Sequence, residues 1–307
     1  MSIYSYKVFY EVAEQGSFAR AAENLHITSS AVSHTIARLE EQMGFPLFIR
    51  DRRGIVITNE GMQVLENVKD IIMCDNRLMQ ESAQIVGLSK GSVRIGAYSS
   101  VTVEWLPDII AAYHERYPGI SVTVEQGGYS NVMELMRRGA VDIGFLSENV
   151  PIDESYSVMP VYKDPMVCIA PPGMFRKNKK NITMDELRDR TFILQSPGFD
   201  ADVRALMHEY EIDPKHEFII RSDIAMVALV SKGIGVAIAP ELSVRAFSDR
   251  VRVLRIKPEV YRTVEIAVPQ REFMTPAAHA MVDGILAYID ENGLNNIEEG
   301  KRQWRYR

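Results

Sequence analysis

The stretch from Gly16 to Gly44, GSFARAAENLHITSSAVSHTIARLEEQMG, decides how the first part of the chain folds. Phe18, Ala21, Ala22 and Leu25 share one face of a short helix capped by Ser17, and the alanines let a neighbour approach closely. Thr28 caps a second helix in which Ala31, Val32, Ile36, Leu39 and Met43 face inward, and Gly44 ends it. The other side of that helix carries Ser29, Ser30, Ser33, His34 and Arg38, which are short or donor-rich. Two short helices joined by His26 and Ile27, the second beginning on small polar groups, are what a helix-turn-helix needs to enter a DNA major groove. Glu40 and Glu41 fall at the end that leaves the groove. Upstream, Ile3, Tyr6, Phe9, Tyr10 and Ala13 predict a helix of about four turns that stops at Gly16. Downstream, residues 48–50 and 55–58 predict two short strands around a tip with Arg50, Arg52 and Arg53, a basic wing able to meet phosphates or the minor groove.

At 307 residues the chain has room for about two domains of roughly 150 residues, three if one is small. With 46% hydrophobic and 25% charged residues it is neither a disordered nor a collagen-like composition. A net charge of −6 argues against a uniformly basic nucleic-acid coat, so any DNA contact is local. Two cysteines, Cys74 and Cys168, exclude a disulfide scaffold and a structural zinc site built from cysteine. The first residues lack the charge and apolar pattern of a signal peptide, and no apolar run approaches the roughly 18 residues of a membrane span. A cytoplasmic protein with no membrane partner is expected.

From Tyr6 to Gly61 the residues resemble the LysR-type transcriptional regulators. The marks are Gly16-Ser17-Phe18, Arg20-Ala21-Ala22, Leu25-His26-Ile27, Ala31-Val32-Ser33, Leu39-Glu40, Gly44, Leu47-Phe48, Arg50, and Thr58 with Gly61. The family often has glutamine and proline in place of Ser29 and Ser30, and arginine in place of His34. The resemblance implies a winged helix-turn-helix over residues 1–58 that binds double-stranded DNA at a partly palindromic operator. Ser17, Thr28, Ser29, Ser30, Ser33, His34, Arg38, Arg50, Arg52 and Arg53 are its candidate contacts.

Residues 59–89 hold no proline, and glycine only near the two ends, which allows a connecting helix of about 45 Å. Leu65, Ile72, Met79 and Val86 recur every seven residues, with Val68 between, while Asp75 and Ser82 weaken the seam. A helix packed on its own chain and a dimer helix both fit. Two wings on successive half-sites require two-fold pairing, and the resemblance implies a homodimer and further assembly to a homotetramer.

Residues 90–307 alternate strands and helices, for example 92–97, 106–117, 120–125, 131–138 and 141–146, then 166–170, 192–194, 201–210, 218–220, 224–232 and 234–239. Two α/β lobes follow, and the resemblance implies that a strand at 261–268 and a helix at 276–292 return the chain to the first lobe, giving lobes of about 90–163 with 268–300, and 164–267, joined near 162–165 and 266–270. The resemblance implies a periplasmic-binding-protein-like effector domain with a small-molecule effector, frequently an anion, between the lobes. Ligands of open α/β sheets bind beyond the carboxyl ends of strands, where helix N-termini favour anions. That rule selects Ser99, Ser100 and Val101, Gly128, Ser147, and Ser196 with Phe199.

Enzymatic signatures are incomplete. His114-Glu115 lacks the second histidine of a zinc-protease helix, Gly128-Tyr129-Ser130 lacks the closing glycine of a nucleophile elbow, and Gly233-Ile234-Gly235 opens a strand where a dinucleotide fingerprint would follow one. No catalytic residue, metal site or cofactor is therefore expected. Cys168 lies in an apolar run and is read as inert, which argues against a cysteine-pair redox switch. A small-molecule enzyme or solute-binding protein with an N-terminal interaction module is the competing reading. The basic tail around Trp304 is expected to be a disordered, solvated end.

Overall fold

The computed structural model describes residues 2–51, 54–85, 90–152, 154–214, 216–270, 273–298 and 300–306. The chain divides into two compact units, Met1–Leu88 with Glu272–Pro276, and Ser89–Arg271 with Ala277–Arg307.

In the first unit, α1 (Ile3–Gln15), α2 (Phe18–Asn24) and α3 (Ser29–Met43) are followed by β1 (Phe48–Asp51), β2 (Gly54–Ile57) and the long α4 (Asn59–Ile85). The caps are those the residues predict. The Ser17 hydroxyl accepts from the Arg20 amide and Thr28 from the Ala31 amide, while Gly16 and Gly44 close α1 and α3 with left-handed backbone at φ +58° and +83°. His26 takes φ +53° in the turn between α2 and α3, a region that non-glycine residues enter at a cost. Val8, Phe9, Val12, Ala21, Ala22, Val32, Ile36, Leu39 and Leu47 form the core, with Val68 of α4. Phe48 anchors the antiparallel β1–β2 hairpin, its ring edge-on to Phe9 at 5.5 Å and to Phe18 at 6.1 Å. Glu40 has a structural duty, since its Oε1 accepts from the amides of Leu47 at 2.7 Å and Phe48 at 3.1 Å where the hairpin starts. Gly61 is required by close approach, because a Cβ there would lie 2.6 Å from the Leu47 carbonyl oxygen.

Helix α4 is about 40 Å long over its 27 residues. Its first half packs on its own module through Val64, Leu65, Val68 and Ile72, so two of the expected seam positions are spent there. Asp75, which interrupts that seam, pairs with Lys7 at 2.7 Å. The apolar residues left exposed are Ile71, Leu78 and Met79, with Met62 near the start. Val86 lies outside the described residues.

The second unit contains β3 (Gly91–Ala97), α5 (Ser99–Glu104), α6 (Leu106–Arg116), β4 (Ile120–Gln126), α7 (Tyr129–Arg137), β5 (Ile143–Ser147), β6 (Tyr156–Ala170) and β7 (Asn181–Thr183). After these come β8 (Phe192–Gln195), α8 (Ala201–Glu209), β9 (Glu217–Ile220), α9 (Asp223–Ser231), β10 (Ala237–Pro240), α10 (Glu241–Val244), β11 (Arg252–Lys257), β12 (Tyr261–Pro269), α11 (Pro276–Glu291) and β13 (Arg305–Tyr306). The main sheet runs β4-β3-β5-β12-β6-β11-β7, with β10 and β13 also on β6, and β8 and β9 pair separately. Strands β3, β4 and β5 are parallel neighbours in the first lobe, and β8 to β11 build the second. Strand β6 serves both lobes. Its second half is apolar on both faces, Met166, Cys168 and Ala170 entering one core and Val167 and Ile169 another.

Three features depart from expectation. The β6 strand begins ten residues before the expected 166, because Pro160 is tolerated opposite Glu265 at the register shift between Val264 and Glu265. The chain has returned to the first lobe by Val264, where β12 pairs with β5, rather than near 266–270. The basic tail is ordered at Arg305 and Tyr306, which pair with Val158 and Ser157 of β6. There Arg305 lies 3.5 Å from Glu265, a fully buried carboxylate for which a cation is worth holding.

Candidate functional site

Two sets of residues carry chemistry, one in each unit. On α3, Ser29, Ser30, Ser33, His34 and Arg38 are all exposed, as expected of a surface meant for another molecule. Ser17 and Thr28 are the caps, so their oxygens are engaged with backbone amides, and Thr28 also shares a hydrogen bond with Ser30 at 2.9 Å. Arg20, exposed on α2, adds a cation that the sequence reading left out. Arg52 and Arg53, and the side chain of Arg50, lie outside the described residues.

The second site is a cleft in the second unit, lined by Tyr98, Ser99, Ser100, Gly128, Tyr129, Gln195, Phe199, Asp223, Ser243 and Arg262. Its centre is Arg262, which the strand register sets opposite Asp164 across β12 and β6. Both are buried, and the guanidinium donates to Asp164 Oδ2 from Nε at 2.9 Å and from Nη2 at 2.7 Å. Nη2 also donates to Ser100 Oγ at 2.8 Å, and Nη1 to the Tyr129 hydroxyl at 2.9 Å. The Tyr98 ring lies under the guanidinium, 4.6 Å from centroid to Cζ, and Tyr129 stands edge-on to Tyr98 at 5.0 Å. Tyr129 donates onward to Asp202 Oδ2 at 2.6 Å, and Asp202 also accepts from Ser147 Oγ and from Asn149 Nδ2 at 2.9 Å. Asp223 accepts from Gln195 Nε2 and from the Ser99 hydroxyl.

Burial raises the Tyr98 and Tyr129 hydroxyls above their ordinary 10, with Arg262 opposing, so both stay protonated. Burial alone would lower Arg262, but Tyr129, Tyr98, Asp164 and Asp202 overcome it and hold the guanidinium charged. The carboxyls of Asp164 and Asp223 are raised by desolvation, which Arg262 and their hydrogen bonds only partly offset.

Of the residues selected for this cleft from sequence, Ser99, Ser100, Gly128 and Phe199 line it. Gly128 admits no side chain, because a Cβ would collide with the Gly198 carbonyl of the facing loop. Ser147 is fully buried behind the lining and is linked to it through Asp202, which accepts from both Ser147 and the lining residue Tyr129. Val101 is fully buried and does not line the cleft, since one helical step past Ser100 turns its side chain into the core. Ser196 also falls outside the lining; its carbonyl accepts from the Phe199 amide in the turn that presents Phe199, and its amide donates to the Ile220 carbonyl at the end of β9. The charged residues were missed, although Arg262 and Asp164, charges within largely apolar strands, are the signal that reveals them. Cys168 is buried, and desolvation pushes its thiol up to about 12, which makes it unreactive near neutral pH. Among the described residues no group of three or more His, Cys, Asp or Glu could hold a metal ion, and no helix is long and apolar enough to cross a membrane.

Comparison with known proteins finds a family model for each part of the chain. Residues 3–62 match the bacterial regulatory helix-turn-helix protein, lysR family, and residues 87–289 match the LysR substrate binding domain. The chain belongs to the LysR family: it is a transcriptional regulator with a DNA-binding helix-turn-helix and an effector-binding domain, and not an enzyme. A curated relative, the uncharacterized HTH-type transcriptional regulator YvbU of Bacillus subtilis, is 27% identical over 286 residues, covering 92% of this chain and 97% of its own. A full-length OxyR structure from Pseudomonas aeruginosa superposes with a TM-score of 0.73 at 20% identity, covering 94% of each chain. CbnR in complex with its target DNA gives 0.56 at 21% identity, covering 94% of this chain and 99% of that one. These structural likenesses concern the fold.

Proposed function

We propose that α3 reads bases in the major groove through Ser29, Ser30, Ser33, His34 and Arg38. The wing arginines Arg50, Arg52 and Arg53 neutralise phosphates, and the cleft around Arg262 holds the effector. The observation that carries this reading is the polar face of α3, exposed from its first turn while the opposite face is buried. Ser17 and Thr28 orient the two helices and meet DNA only through what they cap. CbnR was solved on its target DNA, and the same approach is carried over here. The protein acts in the cytoplasm, where the DNA it regulates is found.

Pairing of two copies runs through the exposed stripe Ile71, Leu78 and Met79 of α4, and places two wings on successive half-sites, in the homodimer and in a homotetramer built from it. Effector binding favours one arrangement of the lobes, and that differential affinity resets how the wings are presented. Leu78→Glu buries a charge in the paired helices while leaving the 60% exposed position of the single chain undisturbed. Analytical ultracentrifugation is expected to show it reduced to monomer at micromolar concentration, with footprinting on the DNA upstream of its gene losing protection of paired half-sites. An unchanged sedimentation coefficient would remove this face of α4 from the proposal.

A further inference from the structure

The lining of the effector cleft holds one carboxylate, Asp223, and one guanidinium, Arg262, and two further carboxylates, Asp164 and Asp202, lie behind the lining against that same guanidinium. Arg262 is committed to Asp164, Ser100 and Tyr129, and no other cationic residue lines the cleft among the described residues. An anionic ligand arriving there finds no uncommitted cation. Two helix N-termini beside it already have carboxylates of the chain itself, Asp202 in the first turn of α8 and Asp223 as the first residue of α9, whereas α5 and α7 begin at the cleft with no acidic residue in their first turns.

Asp223 is in the lining, 7% exposed, and forms no ion pair among the described residues. Ionised carboxylates are rarely kept in this condition without a partner to complete them. A second, independent observation concerns Tyr98. Its side chain lines the same cleft, is 94% buried on the basis of its 6% exposure, and its hydroxyl has no hydrogen-bond partner among the described residues. That oxygen is an unsatisfied polar atom on a residue that shares the cleft lining with Asp223. Tyr98, Tyr129 and Phe199 add aromatic walls, which favour organic cations through their ring quadrupoles.

We propose that the effector is a small organic cation, a primary amine whose ammonium group meets Asp223 and the Tyr98 hydroxyl. The inference rests on the reading of this cleft as the effector site. The space between the walls is about 20 Å³, enough for roughly one water, so the amine enters by separating the lobes. The contacts it displaces run between them, Ser99 with Asp223 and Gly128 against Gly198. Occupancy is thereby coupled to lobe arrangement.

The test uses the full-length protein and probes matched in skeleton: ethanolamine, glycolate and ethylene glycol, then benzylamine, benzoate and benzyl alcohol, with magnesium and calcium chloride as further arms. Thermal denaturation is followed for the wild type and for Asp223→Asn and Asp202→Asn. At millimolar concentration at least one amine is expected to raise Tm by more than about 2 °C, with its carboxylate partner silent. Asp223→Asn abolishes the shift. Silence of both amines, a shift from the carboxylates, a shift from the metal ions alone, or an amine shift that survives Asp223→Asn would each overturn the proposal. Selective DNA binding is measured on the same samples. If it is intact while the amines are silent, only this inference fails; if it is absent, the regulator reading fails.

Discussion

Arg262→Met destabilises the effector-binding unit by about 3–5 kcal/mol, the cost of leaving a buried charge without its partner. The side chain that goes is 3% exposed and holds together Asp164, Ser100 and Tyr129. Methionine fills part of the volume and supplies none of the donors. Asp164 is then buried with only the Leu242 amide, at 3.1 Å, to support its charge. Both tryptophans of the chain, Trp105 and Trp304, belong to this unit, so urea unfolding read by tryptophan fluorescence follows it without interference from the DNA-binding part. The pH dependence has a definite sign. Burial raises the Asp164 carboxyl above its ordinary 3.8, Arg262 opposes that rise, and its removal raises the carboxyl further. The folded variant then binds a proton that the unfolded chain has released, so the deficit is full at neutral pH and shrinks as the pH falls toward 3.8. Adding Asp164→Leu to Arg262→Met recovers most of the loss, because no unpaired charge remains. A single-variant loss below about 1 kcal/mol, or a double variant no better than the single, would mean that the ion pair does not organise the cleft.

Ser33→Glu is expected to lower affinity for the regulator's own upstream DNA at least about 100-fold. Ser33 is exposed on α3, so a longer side chain fits the free protein. In the groove the added carboxylate faces base acceptors and phosphates, and like-charge juxtaposition of that kind costs several kcal/mol. Ser33→Ala separates charge from contact. Removing a base-reading hydroxyl changes preference at one base pair by about 1–3 kcal/mol at most and leaves nonspecific binding intact. Fluorescence anisotropy with operator and random duplexes measures both. If Ser33→Glu bound operator within about threefold of wild type, this face of α3 would not be in the groove.

What was legible in the sequence follows from the range of the interactions involved. The DNA-binding module could be read almost whole, because Ser17, Thr28, Gly16 and Gly44 act on amides and turns within a few residues of themselves. The cleft was legible only in its loops. Arg262 and Asp164 stand 98 residues apart and meet through the register of β6 and β12, which no local pattern encodes. Ser99 and Phe199 fell within the selected loops, whereas Asp223 begins a helix in another part of the chain. The heptad of α4 left two readings open for a related reason. Leu65 and Ile72 pack on their own module while Met79 of the same heptad is exposed with Ile71 and Leu78, and only the fold separates the two groups. The tail looked solvated because Glu265, the buried carboxylate next to Arg305, is 40 residues away in sequence.

The most direct test of the regulator reading is the affinity of the full-length protein for the DNA upstream of its own gene, titrated across salt against random duplex of equal length. The expected result is selective binding, at least about 1,000-fold tighter than to random duplex, with log affinity falling linearly with log salt as counterions leave the phosphates. Equal, weak binding to both duplexes at every salt concentration would contradict the placement of α3 in the major groove.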